Sequence, residues 1–309
     1  MKKNAKQSKL LHEYFKEWTE LYKVGAIRPI TLKKYRITHQ RLLELAPLLT
    51  FKELNRKSYQ KLLNDYALTH EKQTTMDFHH QIKGAILDAH DEGLITIDPT
   101  RKVVIKGKDP APKKVKYLNQ FELHALLKQL SLSESLSLDW LILLVAKTGI
   151  RFSEALAVTP SDFDFSQQTL SINKTWNYKD ATGGFQPTKN YSSNRKIQLD
   201  WQTVTQFSRL IHLLPLDKPI FIRERVFNST VNNLLKKYCE DARVPVISLH
   251  CLRHTHASLL LFAGVSIASV ARRLGHSNMT TTQQTYLHII QELENQDNEK
   301  IVRHLSNLY

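Results

Sequence analysis

Residues 106–116 read KGKDPAPKKVK, with five lysines, two prolines and one glycine, and Val115 as the only large apolar side chain. Proline removes backbone donors and the run offers almost nothing to bury, so no helix or strand of a folded core can pass through it. Whatever this chain folds into must therefore be assembled as two bodies, residues 1–105 and residues 117–309. At 309 residues and 41% hydrophobic content, each can bury a core of its own. The run itself reads either as a solvated spacer or as a basic strap lying across an anionic partner.

Before this linker the apolar residues keep a helical period. Leu10, Leu11, Tyr14, Phe15, Trp18, Leu21 and Tyr22 share one helix face. A second run contains Leu32, Tyr35, Leu42 and Leu45, with Thr31 after Pro29 as its start signal, and Ser58 opens a third through Leu62, Leu63 and Tyr66. A fourth covers 74–92 with Phe78, Ile82, Ala85, Ile86 and Ala89 inward and Gly93 as its stop. Residues 8 to about 100 thus predict a compact helical domain. After the linker, helices are expected at 121–130 and 138–147, the latter ended by Gly149. The period then drops to two, which predicts short strands at 169–175, 184–188 and 195–199 around a turn holding Asp180 and Gly183-Gly184. Helical spacing resumes near Trp201 and continues through 231–242 and 249–262 to 285. The expected fold is mainly α: a helical N-terminal domain, then a mixed α+β domain with a small antiparallel sheet.

Charge narrows the partners. The net +15 is uneven: residues 1–116 carry 24 Lys and Arg against 13 Asp and Glu, a net +11, leaving +4 for the rest. Such a surface attracts a polyanion, be it DNA, RNA or an anionic membrane. No apolar run approaches the roughly 18–20 residues of a membrane span, the longest being 141–146. The basic start is followed by Glu13, Glu17 and Glu20, which a secretory signal would not tolerate, so a cytoplasmic protein is expected. Cys239 and Cys251 are too few for a disulfide framework and are expected as thiols. The sequence holds no Walker GxxxxGK[ST] motif, and no carboxylate cluster suited to a pair of magnesium ions stands out.

Four separated segments carry the chemistry: TGIRFSEAL at 148–156, TKN at 188–190, LHCLRHTHA at 249–257 and LGHSNMTTTQQTYLH at 274–288. His250 and Arg253 lie three apart on one helix face, so both can address the same group. Two arginines supply planar donors for the oxygens of a phosphate, and a neutral imidazole can receive a phenolic proton. A phenol is a weak nucleophile at neutral pH until a base and positive surroundings assist it. Plainer readings exist for each residue alone: Arg151 paired with Glu154 at the surface, His276 as a helix cap, Tyr286 as packing. His250, His254 and His256 could also suggest zinc, but no HExxH glutamate or cysteine cluster accompanies them and Arg253 would set a cation beside the metal. His254 and His256 are read as structural.

In order and spacing the four segments resemble the tyrosine recombinases, the phage integrase family, and GLITIDP at 93–99 resembles the end of that family's core-binding half. The resemblance implies a SAM-like helical core-binding domain over 1–105 and a catalytic domain over 117–309. It implies Arg151 and Arg253 as the phosphate-binding arginines, His250 in proton transfer and His276 as a hydrogen-bond donor to the phosphate. Lys189 would protonate the departing 5′ oxygen, with Lys174, Lys179 and Lys196 as neighbouring candidates, and Tyr286 would form a 3′ phosphotyrosine. Neither metal nor other cofactor is expected. Expected partners are double-stranded DNA attachment sites, a homotetramer exchanging strands through a Holliday junction, an excisionase and a host DNA-bending protein. Ile289, Ile290, Ile301, Val302 and Leu305 would anchor the C-terminal segment on a neighbouring protomer. Because the helical pattern begins by about residue 8, the chain either recognises core sites only or starts internally, which leaves arm-site binding in doubt. Within the family, integration of a phage or mobile element is favoured over resolution of chromosome dimers. A type IB topoisomerase, a catalytically inactive DNA-binding regulator and a zinc enzyme are the remaining alternatives.

Overall fold

The computed structural model describes residues 8–110, 115, 117–180, 182–222, 224–286, 302, 305 and 306. The chain divides into two compact units, Met1–Lys113 and Lys114–Tyr309. The first holds α1 (Leu11–Tyr22), α2 (Pro29–Leu45), α3 (Arg56–Ala67) and α4 (Lys72–Asp91). Its core joins Leu11, Phe15 and Trp18 to Leu42, Tyr59, Leu63, Phe78, Ile82 and Ile86. Inside it, the Trp18 indole donates to Asp88 at 2.5 Å, and the Tyr59 hydroxyl lies 3.0 Å from His79 Nδ1.

Helix starts differ slightly from expectation. Pro29 rather than Thr31 opens α2, where its missing N–H costs nothing. Asn55 caps α3 through the Lys57 and Ser58 amides while Ser58 returns a bond to the Asn55 amide, so Ser58 stands one turn inside the helix. Leu21, Tyr22 and Leu45, expected on buried faces, are exposed. In the linker, the Lys108 amide donates to the His70 carbonyl at 2.8 Å, so this stretch begins as part of the first unit.

The second unit contains α5 (Gln120–Leu127), α6 (Leu138–Thr148), α7 (Phe152–Leu156), α8 (Trp201–Ile211), α9 (Asn228–Asp241), α10 (Leu249–Phe262), α11 (Ile267–Leu274) and α12 (Met279–Thr285). Its strands are β1 (Phe163–Asp164), β2 (Thr169–Ile172), β3 (Lys174–Trp176), β4 (Phe185–Pro187) and β5 (Arg195–Gln198). All pairings are antiparallel: β1-β2-β5 form one sheet and β3-β4 a second. The single strand expected over 169–175 is therefore two, divided at Asn173 and belonging to different sheets. Leu170 pairs with Ile197, and both turn inward. The core gathers Leu141, Leu144 and Ile150 with Phe207, Val231, Leu235 and Leu252. Helix α6 is apolar on every side because α10 and α9 pack against it. Among the described residues, no helix is long and apolar enough to cross a membrane. Ile289, Ile290 and Ile301 lie outside the described residues, whereas Val302 and Leu305 are exposed.

Candidate active site

Two helix ends build the site. Helix α6 stops at Gly149 (φ +68°) and α11 at Gly275 (φ +68°), both left-handed caps. Neither glycine is replaceable at leisure. A Cβ on Gly149 would lie 2.8 Å from the His256 ring, and one on Gly275 would lie 2.9 Å from the Arg195 guanidinium and 3.1 Å from the Ser193 backbone. A helix terminus leaves carbonyls without intrahelical partners and carries partial negative charge. Here those carbonyls accept from guanidinium groups. Arg253, buried on α10, donates to Gly149 O at 2.7 Å and Leu274 O at 2.6 Å, and Arg151 donates to Gly275 O at 3.1 Å. The arginines of two distant segments are thus set side by side by the same helix terminus.

Glu154 fixes the other side of Arg151. Its carboxylate accepts from the Arg151 guanidinium at 2.7 Å, from the Arg151 amide at 2.9 Å and from Arg195 at 2.9 Å. Burial alone would raise its pKa, but the charges and hydrogen bonds of Arg195 and Arg151 outweigh that and hold it below the ordinary carboxylate value. The ion pair named as the plain reading of Arg151 is therefore present, as part of a larger network. It also occupies the Arg151 amide, so that backbone donor is taken, and α7 spans only five residues.

Arg195 went unnoticed in the sequence. Besides Glu154 it donates to Arg273 O at 2.6 Å and Ser193 O at 2.8 Å, tying β5 to the end of α11. Arg253 is lowered by burial first and then by the Arg151 charge, to about 9, so it remains cationic at neutral pH.

His276 follows the Gly275 cap, its amide bonded to Ala271 O at 3.1 Å and its Nδ1 lying 2.7 Å from the Thr282 hydroxyl. Burial, then Arg253 and Arg151, push its pKa down to about 4, so the ring is neutral at physiological pH. His250 remains accessible at the start of α10, and partial desolvation followed by Arg253 and Arg151 lowers its pKa as well. His256 is structural, as read: Arg273 donates to its Nε2 at 2.8 Å and its Nδ1 bonds Ala146 O at 3.0 Å, leaving no ring lone pair for a metal.

Tyr286, at the end of α12, is buried among Ala257, Leu261, Val270 and Leu274. Its hydroxyl lies 2.9 Å from His254 Nδ1. The structural role expected of His254 does not account for this contact with the phenol. The His254 and His250 rings meet edge-on with centroids 4.9 Å apart. Burial pushes Tyr286 up to about 12, with Arg253 pulling the other way.

Lys189 is exposed on the loop between β4 and β5, the loop that leads into Arg195. That loop is closed by its own side chains, Thr188 donating to Asn194 at 2.8 Å and Ser193 to Asn190 at 2.6 Å. Of the rival lysines, Lys174 contacts both Asp162 oxygens at 2.5 and 2.6 Å. A cleft of about 690 Å³ beside these elements is lined by Arg195, Lys196, Arg272, Arg273 and His276.

The model of the phage integrase family matches residues 116–292, more than half of the chain. An integrase of Staphylococcus phage L54a is 27% identical over 173 residues, 50% of this chain and 49% of that protein. A XerC-like tyrosine recombinase of Caldanaerobacter subterraneus subsp. tengcongensis is 28% identical over 232 residues, covering 65% of this chain and 59% of that one. Tyrosine recombinase XerC of Staphylococcus aureus is 34% identical over 185 residues, 58% and 59% of the two chains. The chain spans about half the length of the curated relatives it matches. Among solved structures, the Tn1549 transposon integrase in complex with a circular intermediate DNA superposes with a TM-score of 0.73 at 17% identity, over 89% of this chain and 94% of that one. A lambda integrase dimer bound to a COC′ core site gives 0.66 at 17% identity, over 91% and 78%. With more than half of its length matched by that family model, the chain belongs to the phage integrase family, the tyrosine recombinases.

Proposed function

We propose that this protein is a site-specific DNA recombinase that cuts and rejoins DNA through a covalent bond between Tyr286 and a backbone phosphate. The observation that carries the reading is the convergence of Arg151 and Arg253 on the Gly275 and Leu274 carbonyls beside His276, with Tyr286 held against the helix that supplies Arg253. Two guanidiniums can neutralise the non-bridging oxygens as charge builds on them, the task a metal performs in other phosphoryl transfers. His250 and His276, both neutral, add hydrogen bonds to those oxygens. Tyr286 Oη attacks phosphorus as its proton passes to a neighbouring imidazole, and the bond to the 5′ oxygen breaks. That oxygen takes a proton from Lys189, leaving a 3′ phosphotyrosine and a 5′ hydroxyl. Attack by the 5′ hydroxyl of a partner strand reverses the step and conserves the bond energy, so neither metal nor nucleotide is required.

Integration and excision of a phage or mobile element is the favoured role, since a phage integrase is among the relatives and a transposon integrase among the similar structures. The XerC relatives support resolution of chromosome dimers as the second reading. A lambda integrase tetramer bound to a Holliday junction is also similar in fold, which supports a homotetramer on paired sites. The basic first unit suits the DNA backbone. An excisionase and a host DNA-bending protein are the accessory partners this role would use, and the cytoplasm is where it would act.

The test incubates wild type and Tyr286→Phe with end-labelled nicked duplexes tiling the DNA beside the gene, in excess EDTA, followed by denaturing electrophoresis. A slow-migrating adduct made by wild type alone is the expected result. Sequence-specific binding with no adduct on any duplex would instead favour the inactive regulator.

A further inference from the structure

We infer that His254 is a further catalytic residue, the group that takes the phenolic proton of Tyr286 during cleavage and returns it during rejoining. This rests on the recombinase reading above. The phenol oxygen lies 2.9 Å from His254 Nδ1, inside the range over which a side chain exchanges a proton directly. For Nδ1 to accept from the phenol, the ring's proton must sit on Nε2, the neutral tautomer a base needs.

Burial favours a side chain over bulk water as the acceptor. Tyr286 is 2% exposed and packs on Ala257, Leu261, Val270 and Leu274. At a pKa of about 12, roughly one phenol in 10⁵ would ionise unaided at neutral pH. The proton passes to a neighbouring side chain, and among the described residues His254 is the one in hydrogen-bond contact. Its position is fixed by α10, the helix that also carries His250 and Arg253, so base and phosphate-binding arginine move as one rigid element. His250, one turn earlier and more exposed, is left to serve the phosphate oxygens. In the forward step Tyr286 Oη loses its proton to His254 Nδ1 as the Oη–P bond forms. The bond to the 5′ oxygen breaks, and that oxygen is protonated by Lys189. In the reverse step the imidazolium reprotonates the departing phenolate.

The test measures single-turnover adduct formation on the nicked duplex that wild type cleaves. His254→Asn keeps a short polar group where Nδ1 stands but cannot take a proton. It should slow cleavage on the order of 10²–10⁴-fold with DNA binding and helical circular dichroism unchanged. Placing a fluorinated tyrosine of lower phenol pKa at position 286 should restore most of that rate in His254→Asn and change wild type little. Cleavage by His254→Asn at the wild-type rate would overturn the assignment, and so would a slowed variant that the fluorinated residue does not rescue. The same rescue seen in His250→Asn instead would move the base to His250. If His254→Asn does not fold, ¹⁵N shifts of the wild-type imidazoles decide the matter: an Nε2-protonated His254 that responds to Tyr286→Phe is expected, and an Nδ1-protonated one excludes the role. Absence of any wild-type adduct is a different failure, that of the recombinase reading.

Discussion

Glu154 and Arg195 form a buried ion pair, 2.9 Å between Oε2 and Nη2, with both side chains almost wholly removed from solvent. The same carboxylate holds Arg151, so one residue of α7 sets two cations, one from the start of its own helix and one from β5. Removing the shared anion from a buried pair leaves uncompensated charge, at a cost of about 3–5 kcal/mol. Glu154→Ala should therefore lower unfolding free energy in urea by that order and abolish adduct formation. Glu154→Gln retains an acceptor and should lose less stability while still slowing cleavage. A Glu154→Ala variant as stable as wild type would show that the two guanidiniums find other partners.

The glycine caps make a separate prediction. An L-residue in the left-handed region costs about 1–2 kcal/mol, and at Gly275 the new Cβ would also press on Ser193 and Arg195. Gly275→Ala should thus destabilise by roughly 2 kcal/mol or more, read as a lower urea midpoint at unchanged m-value. On the proposed mechanism it should also impair DNA cleavage beyond its effect on folding, because the carbonyls of residues 274 and 275 hold Arg151 and Arg253. Equal activity per folded molecule would separate the cap from the site.

Stability should also fall in acid through the buried histidines. His256 is pushed down to about 3 by burial first, then by Arg273, whereas in the unfolded chain it titrates near 6.5. Between those values the unfolded state binds more protons, so unfolding free energy rises with pH across the window and is lost as pH falls below about 6.5. The stability lost through His256 between pH 7 and pH 4 is on the order of 3 kcal/mol. His256→Gln should be less stable than wild type at pH 7, and that difference should shrink steadily as pH is lowered to 4. A gap that stays constant with pH would mean that His256 is not neutral in the folded protein.

Much of this was legible in the sequence where a local rule operates. Gly149 and Gly93 stop helices because only a positive φ closes those ends cheaply, and the apolar period placed α4 to within two residues. The Asn55 and Ser58 ambiguity is intrinsic to capping, since either residue can open a helix and here both contribute. Strand β1 is two residues long, too short to show a period. Arg195, Arg273 and His254 escaped because their roles lie in contacts with residues 41, 17 and 32 positions away. Spacing along the chain carries no information about such pairs; only the folded path brings them together.

The two lysines near the β3–β4 hairpin should respond differently to substitution. Lys174 is bound to both oxygens of Asp162, itself buried and bonded to the Thr159 amide and hydroxyl, so Lys174→Ala should cost stability and leave cleavage per folded molecule intact. Lys189 stands exposed on the loop before Arg195, and Lys189→Ala should unfold at nearly the wild-type urea concentration while cleaving on the order of 10²-fold more slowly. A leaving oxygen needs a proton, whereas a leaving thiolate does not. A duplex carrying sulfur in place of the bridging 5′ oxygen at the scissile phosphate should therefore restore Lys189→Ala to near the wild-type rate. It should not restore Arg151→Ala, whose loss falls on the non-bridging oxygens. Rescue of both variants would mean that the sulfur merely weakens the bond, and rescue of neither would move the proton donor from Lys189 to another group.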